Sequence, residues 1–392
     1  MSIKKSKSPR DVVIVGATRT AIGRGKREVG IYTDVHPATL LATVYASALE
    51  RAGVAPEDVG EVVSGAVTQV GEQSNNIARN AWLQAGFPVE VPATTVDLQC
   101  GSSQQAVHIG AAQIAAGVHD IVLAAGVEHM GRVPMGSNVP ADLSSLPYTP
   151  ELLERYALTP QGLSAELIAE RWNLGRQELD ELGVLSQARA SAAVEGGVFS
   201  REITPVTTPQ GVVDTDQGIR PGTTLEVLAK LKPAFKPDGV ITAATSSQIS
   251  DGAAAVVLAS REAAERLGLT IRAEIVDHVL VGVDPVIMLT GPIPATQKIL
   301  ARNGLVIGDL DRIEINEAFS SVVVAWKHDL QPDFDKVNVN GGALALGHPL
   351  GSSGARLITT LVHELERSDT ELGLSTMCTA GGIGTATLIQ RV

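Results

Sequence analysis

The chain repeats itself. The run Gly53 to Val63 (GVAPEDVGEVV) is matched by Gly304 to Glu314 (GLVIGDLDRIE), and Gly101-Ser102-Ser103 is matched by Gly351-Ser352-Ser353. Either match alone is at the level of chance. Together their near-equal offsets, about 250 positions each, point to a duplicated half. A core of two similar halves related by a pseudo-two-fold axis is expected. It would put residues 100 and 348 at equivalent strand-to-helix corners facing a common cleft.

Each half reads as α/β. Buried strand-like runs such as Asp11 to Gly16 and Ile121 to Gly126 alternate with helical patterns such as Pro37 to Arg51 and Gln104 to Gly117. Pro37 lies near the first turn of its helix and Gly53 just past the end, the usual punctuation of a helix. Asp58 to Val67 and Thr94 to Leu98 read as further strands, and Ser74 to Gly86 as a second helix. From Met130 to Ile249 the texture changes to prolines, polar loops and helices over Leu163 to Trp172 and Arg176 to Glu195. Long excursions of this kind often carry binding surfaces. The expected organisation is a basic arm at 1–10, a first half at 11–129 and 250–272, an inserted loop domain at 130–249, and a second half at 273–392.

Composition narrows the class. Apolar residues make up 44%, aromatics only 3%, and the formal net charge is -12. Small aliphatic side chains suit helices packed tightly on buried parallel strands. The acidic balance argues against nucleic acid as a partner. No apolar run is long enough to span a bilayer, and no apolar region follows Lys4, Lys5, Lys7 and Arg10. A cytoplasmic protein is expected. The two cysteines do not make a disulfide framework, and the eight histidines show no metal-ligand spacing. Walker loops and dinucleotide fingerprints are absent from the sequence.

Four stretches can carry chemistry. Val339 to Arg356 is rich in glycine and holds one histidine, His348, between a strand-like run and a helix. It can be a close backbone approach with a base near neutral pH, or an ordinary loop with an incidental imidazole. Cys100 precedes a helix whose N-terminal amides would favour a thiolate, although a lone cysteine is commonly just a small buried side chain. Cys378 enters the turn Thr379-Ala380-Gly381-Gly382, where backbone N–H groups can hold an oxyanion. Asn316-Glu317 follows a strand, and can position a water or a side chain, or simply cap a helix.

In their order and spacing these pieces resemble the thiolases along nearly the whole chain. The resemblance rests on Asp97 to Ser103, Asn316-Glu317-Ala318-Phe319, Gly341 to Arg356 and Cys378 to Gly384. It implies a five-layered αβαβα core from two halves with an inserted loop domain. It also implies a Cys100 nucleophile that takes an acyl group, and His348 as its activator. Asn316 would hold a water at a thioester oxyanion, and Cys378 would be the acid/base at the α-carbon of acetyl-CoA. Backbone amides of Cys100 and Ala380 would form an oxyanion hole. Coenzyme A would be a co-substrate, with no cofactor bound permanently, contacted by Arg220, Thr223, Phe235, Ala243, Ser247 and Phe319. Arg220 read alone is equally an ordinary surface charge.

The chemistry is coherent with that reading. Cleaving a carbon–carbon bond beside a ketone needs a thiol to attack and a place for enolate charge, and an acyl-enzyme divides it into two easier steps. The resemblance further implies a homodimer or homotetramer, with Thr68 to Arg79 at the dimer interface; that stretch also resembles actinobacterial steroid-degrading thiolases. Cleavage of 3-ketoacyl-CoA is the leading expectation. Condensation of two acetyl-CoA is the alternative, and a ketoacyl synthase is the more distant rival. Departures from the family pattern are Asp97 for Asn, Ser103 for Gly and Ala380 for Gly; the last would be strained if that residue needed a positive φ.

Overall fold

The computed structural model describes residues 8–139 and 146–392. The first seven residues of the expected basic arm therefore lie outside the described part. Arg10 is not loose: its guanidinium donates to Ile114 O (2.9 Å) and His119 O (2.8 Å) and pairs with Asp120 (2.7 Å).

The chain runs through β1 (Val12–Arg19), the short β2 (Gly23–Arg24), α1 (Pro37–Ala52), β3 (Glu61–Gly65), α2 (Ile77–Gln84), β4 (Ala93–Val96), α3 (Ser102–Ala115) and β5 (Ile121–His129). It leaves the sheet for α4 (Pro150–Arg155), α5 (Gln161–Arg171), α6 (Arg176–Glu195), the hairpin β6 (Val206–Thr208) and β7 (Gly211–Val213), and α7 (Leu225–Leu228). It returns as β8 (Ser250–Ser260) and α8 (Arg261–Arg266). The second half is β9 (Ala273–Gly282), α9 (Pro292–Asn303), β10 (Arg312–Ile315), α10 (Ser320–Leu330), α11 (Ala343–Leu346), α12 (Ser353–Arg367), β11 (Leu372–Thr379) and β12 (Ile383–Arg391).

The strand order β10-β11-β12-β9-β1-β8-β5-β3-β4 makes the duplication visible. Outward from the seam between β1 and β9, each side runs antiparallel, antiparallel, then parallel: β1, β8, β5, β3 on one side and β9, β12, β11, β10 on the other. Only β4 lacks a counterpart in this order. The seam itself is short, pairing Val13 with Glu274 and Ile14 with Ala273. The sequence echo falls on matching corners. Gly53 (φ 71°) ends α1 and Gly304 (φ 65°) ends α9, each in the left-handed conformation that glycine adopts without a Cβ penalty.

Strands buried on both faces separate the layers. On one face of the first half, Val13, Val15, Leu123, Ala125 and Val257 pack beneath Tyr45 of α1 and Trp82 of α2. The other face, with Ile14, Val122, Ala124, Val256 and Leu258, meets Ala106 and Ile114 of α3 and Ala355, Ile358 and Leu361 of α12. Ile275 of β9 and Ile389 of β12 close that middle layer from the second half. The outer face of the second half, with Ile313, Leu374 and Leu388, is covered by Ile299 of α9 and Val323 and Trp326 of α10. The result is five layers, αβαβα, with α3 and α12 in the centre. Full burial of each large aliphatic side chain contributes roughly 1.5–3 kcal/mol, so a sheet covered twice is well supported.

Two departures from the sequence reading have a clear local cause. The helix expected from Ser74 starts at Ile77, because Asn75 (φ 54°) and Asn76 (φ 57°) turn left-handed and Asn76 caps the first turn. The strand-like run before the His348 loop makes only a single bridge, Val337 to Ile313. There the Asn338 side-chain amide accepts from Ile315 N and donates to Ile315 O, both at 2.9 Å, and so takes the place a strand would occupy.

Candidate active site

Cys100 sits on a tight corner between β4 and α3. Gln99, immediately before it, is left-handed (φ 51°), and Asp97 Oδ1 accepts Gln99 N–H at 2.7 Å. A carboxylate thus closes this turn. Ser102 Oγ accepts Leu98 N–H (2.9 Å) and donates to Gln99 O (2.6 Å), fixing the corner from the helix side. Ser103 accepts Ala355 N–H (2.9 Å) and joins the first turn of α3 to that of α12.

The thiol is 4% exposed and packs with Val67, Met130, Leu350, Leu357 and Met377. Burial pushes it up to about 11, against the pull of the Ala380 and Cys100 backbone amides and of the Gln161 carboxamide. The thiolate expected from a helix N-terminus is therefore not the resting form: desolvation outweighs the amides. The two amides expected to form an oxyanion hole are the ones that draw this thiol down most strongly. Ala380 is not among the left-handed residues, since Gly381 (φ 82°) and Gly382 (φ 78°) make the turn. Alanine at 380 is unstrained.

Cys378, one residue before the end of β11, is fully buried, and its thiol is raised by burial and then by Cys100 nearby. On the adjacent strand, Asn316 N donates to Thr376 O (3.0 Å) just past β10, which brings Asn316 beside the Cys378 strand. Asn316 Nδ2 lies 3.3 Å from His348 Nε2, and its Oδ1 has no hydrogen-bond partner among the described residues. His348 Nδ1 lies 2.6 Å from Ser353 Oγ, which donates to Pro349 O (2.8 Å). With that hydroxyl proton used, Ser353 accepts from Nδ1–H, so the network assigns the lone pair to Nε2, where it faces the Asn316 amide. Burial, aided by the charge of Arg356, lowers His348 to about 3, and the ring is neutral.

Apart from Glu317, which the sequence sets beside Asn316, the residues that hold this arrangement carry no sequence signal. Gln248 Nε2 donates to Gly218 O (3.0 Å) and Ala345 O (3.0 Å), and its own carbonyl accepts His348 N–H (3.3 Å). Glu128 accepts from Val67 N, Thr68 N, Gln73 and Gly351 N, and so joins the Cys100 side of the cleft to the loop after His348. Glu317 accepts from Ser186, Asn338 and Leu344 N and binds α6 to that loop.

The residues expected to contact coenzyme A fall into two groups. Phe235 and Phe319 meet edge to face at 5.7 Å, Ser247 N donates to Ala318 O (2.9 Å), and Ala243 is exposed beside Thr242, which bridges Pro233. Arg220 and Thr223 lie on another loop, where Arg220 N donates to Gln187 (2.8 Å) and Thr223 Oγ1 donates to Arg220 O (2.8 Å). The Arg220 side chain is exposed. Among the described residues there is no cluster of three or more potential metal ligands, and no helix is long and apolar enough to cross a membrane.

Residues 12–262 match the family model of the thiolase N-terminal domain and residues 269–391 that of the thiolase C-terminal domain. The chain is 44% identical to the steroid 3-ketoacyl-CoA thiolase FadA6 of Mycobacterium tuberculosis, covering 97% of this chain and 94% of that one. It is 43% identical to an acetyl-CoA acetyltransferase of Chromobacterium violaceum, over 97% and 100% of the two chains. Its structure resembles that of the Bacillus anthracis acetyl-CoA acetyltransferase with a TM-score of 0.89 at 38% identity, over 97% and 99% of the chains. The chain belongs to the thiolase family of acyltransferases.

Proposed function

We propose that this enzyme cleaves 3-ketoacyl-CoA into acetyl-CoA and a shortened acyl-CoA. Cys100 Sγ attacks the 3-keto carbon while its proton passes to His348 Nε2, and the developing oxyanion is held by the Cys100 and Ala380 amides. The bond between C2 and C3 then breaks. Cys378 protonates the acetyl-CoA enolate, whose thioester oxygen is held by His348 and a water on Asn316. Coenzyme A attacks the acyl-enzyme, gives its thiol proton back through the same groups, and leaves as acyl-CoA. The observation that carries this reading is the pairing of two buried thiols: Cys100 packs with Met377, and a Cβ on Gly101 would meet Thr379 at 2.8 Å, so Cys100 sits beside the end of β11 that bears Cys378.

The segment 130–249 acts in this reading as the coenzyme A domain, set on halves formed by 11–129 with 250–272 and by 273–392. Phe235, Ala243, Ser247 and Phe319 line the pantetheine arm, and Arg220 and Thr223 the nucleotide end. Coenzyme A is a co-substrate and no cofactor stays bound. We place the enzyme in the cytoplasm as a homodimer or homotetramer. Relatives named acetyl-CoA acetyltransferase favour a second reading, condensation of two acetyl-CoA. The test compares CoA-dependent cleavage of acetoacetyl-CoA and of a bulky, ring-bearing 3-ketoacyl-CoA. A higher kcat/KM for the bulky substrate is expected; preference for acetoacetyl-CoA supports the second reading, and cleavage of neither overturns both.

A further inference from the structure

Gln248 sits where the loop that carries Arg220 meets the segment that ends at His348. Three carbonyl oxygens converge on its Nε2: Gly218 O and Ala345 O, each at 3.0 Å, and Leu344 O at 3.3 Å. The approach is close, since a Cβ on the buried Gly218 would meet Ala345 O at 2.6 Å and Leu346 O at 2.8 Å. Residues 344 and 345 lie in α11, a helix of four residues, and carbonyls at a helix end have no partner within the helix. A carboxamide nitrogen brings two hydrogens to oxygens that would otherwise only repel. Gln187 repeats the link, accepting Arg220 N–H (2.8 Å) and donating to Leu344 O (3.3 Å). The backbone of Gln248 holds the next residues of the same segment. Gln248 O accepts His348 N–H (3.3 Å) and the Ser250 hydroxyl (2.8 Å), and Ser250 Oγ also accepts His348 N–H (3.1 Å). Gly347, between α11 and His348, has φ 111° and no room for a Cβ against Ser250.

We propose that Gln248 is a positioning residue that holds His348 in register with Cys100 and ties it to the loop of Arg220 and Thr223. The inference rests on the reading in which His348 takes the Cys100 proton and that loop meets coenzyme A. The side chain of Gln248 fixes the helix that ends two residues before His348, while its backbone fixes His348 N. Without the amide hydrogens, three carbonyl oxygens face one another with no donor between them. The strain is relieved when α11 and Gly218 separate. His348 moves with α11, and Arg220 moves with Gly218. A displacement of about 1 Å at a reacting group can cost on the order of 100-fold in rate.

The test follows alkylation of Cys100 by iodoacetamide near neutral pH, read by peptide-mapped mass spectrometry. It compares the wild-type enzyme, Gln248→Met, His348→Ala and the double variant. Met keeps the length of Gln and donates nothing. Gln248→Met should react about tenfold more slowly than wild type, and the double variant no more slowly than His348→Ala, because a residue that acts through His348 has no effect once His348 is gone. The gap between Gln248→Met and wild type should narrow as pH rises toward the thiol's own ionisation, and KM for coenzyme A in acetoacetyl-CoA cleavage should rise. Should Gln248→Met unfold, seen as fast alkylation of both cysteines, Gln248→Asn, one carbon short, carries the same comparison. Wild-type alkylation in the variant, a gap that ignores pH, or equal slowing with and without His348 overturns the inference and leaves His348 as the base. An unchanged KM overturns the tie to the coenzyme loop. Alkylation indifferent to His348→Ala overturns the reading of His348 as base, and the inference with it.

Discussion

The resting site holds a protonated thiol and a neutral imidazole, and each owes that state mainly to burial. The same force acts on Glu314 beneath the site. Its carboxyl is 3.5 Å from Arg356, whose guanidinium nitrogens have no hydrogen-bond partner among the described residues, and burial outweighs that cation to push Glu314 up to about 8. In an unfolded chain the group titrates near 4.5. Between those values the folded state binds the extra proton, so this residue lowers stability progressively as pH rises through the window, and the effect levels off above it. Glu314→Gln mimics the protonated form and removes the titration. Urea midpoints measured across the window should show the variant gaining on the wild-type enzyme as pH rises; parallel curves would contradict the assignment. Cys100, Asn316, His348 and Cys378 could be singled out in the sequence because each lies in its own short motif. Gln248 and Glu128 could not, since they are defined by partners far away in sequence.

At the scale of elements, β1 is fastened to the excursion by Arg19. Its guanidinium, fully buried, donates to Glu202 (2.6 Å) and to both oxygens of Asp216 (2.7 and 2.9 Å), and Asp216 also accepts Ile22 N–H (2.7 Å). Asp216 opens the loop that carries Arg220 and Thr223. Arg19→Ala leaves two buried carboxylates without their cation and should cost about 3–5 kcal/mol in urea unfolding. It should also raise KM for coenzyme A more than it lowers kcat; an unchanged KM would separate the clamp from the binding loop. Helix and strand positions were largely legible from periodicity and from glycine and proline punctuation. The strand misread before His348 failed for a physical reason: the Asn338 side chain supplies the donor and acceptor that a backbone neighbour otherwise gives. Sequence pattern records alternation but not which atoms pair.

For the whole molecule, the duplication explains where the chemistry lies. Both halves turn a glycine- and serine-bearing corner toward the α3–α12 layer, and the site forms where those corners meet β11. That symmetry could be read from two short echoes, whereas the continuous strand order through the β1–β9 seam could not. The central claim is that one of two neighbouring thiols accepts the acyl group and the other moves the proton. It is tested most directly by peptide-mapped mass spectrometry of the wild-type enzyme, Cys100→Ala and Cys378→Ala after mixing with acetyl-CoA, with cleavage rates measured on the same samples. The account predicts an acetyl group on Cys100 in the wild-type enzyme and in Cys378→Ala, the latter without cleavage or condensation, and no adduct in Cys100→Ala. An acetyl group on Cys378, or full turnover by Cys378→Ala, would contradict it.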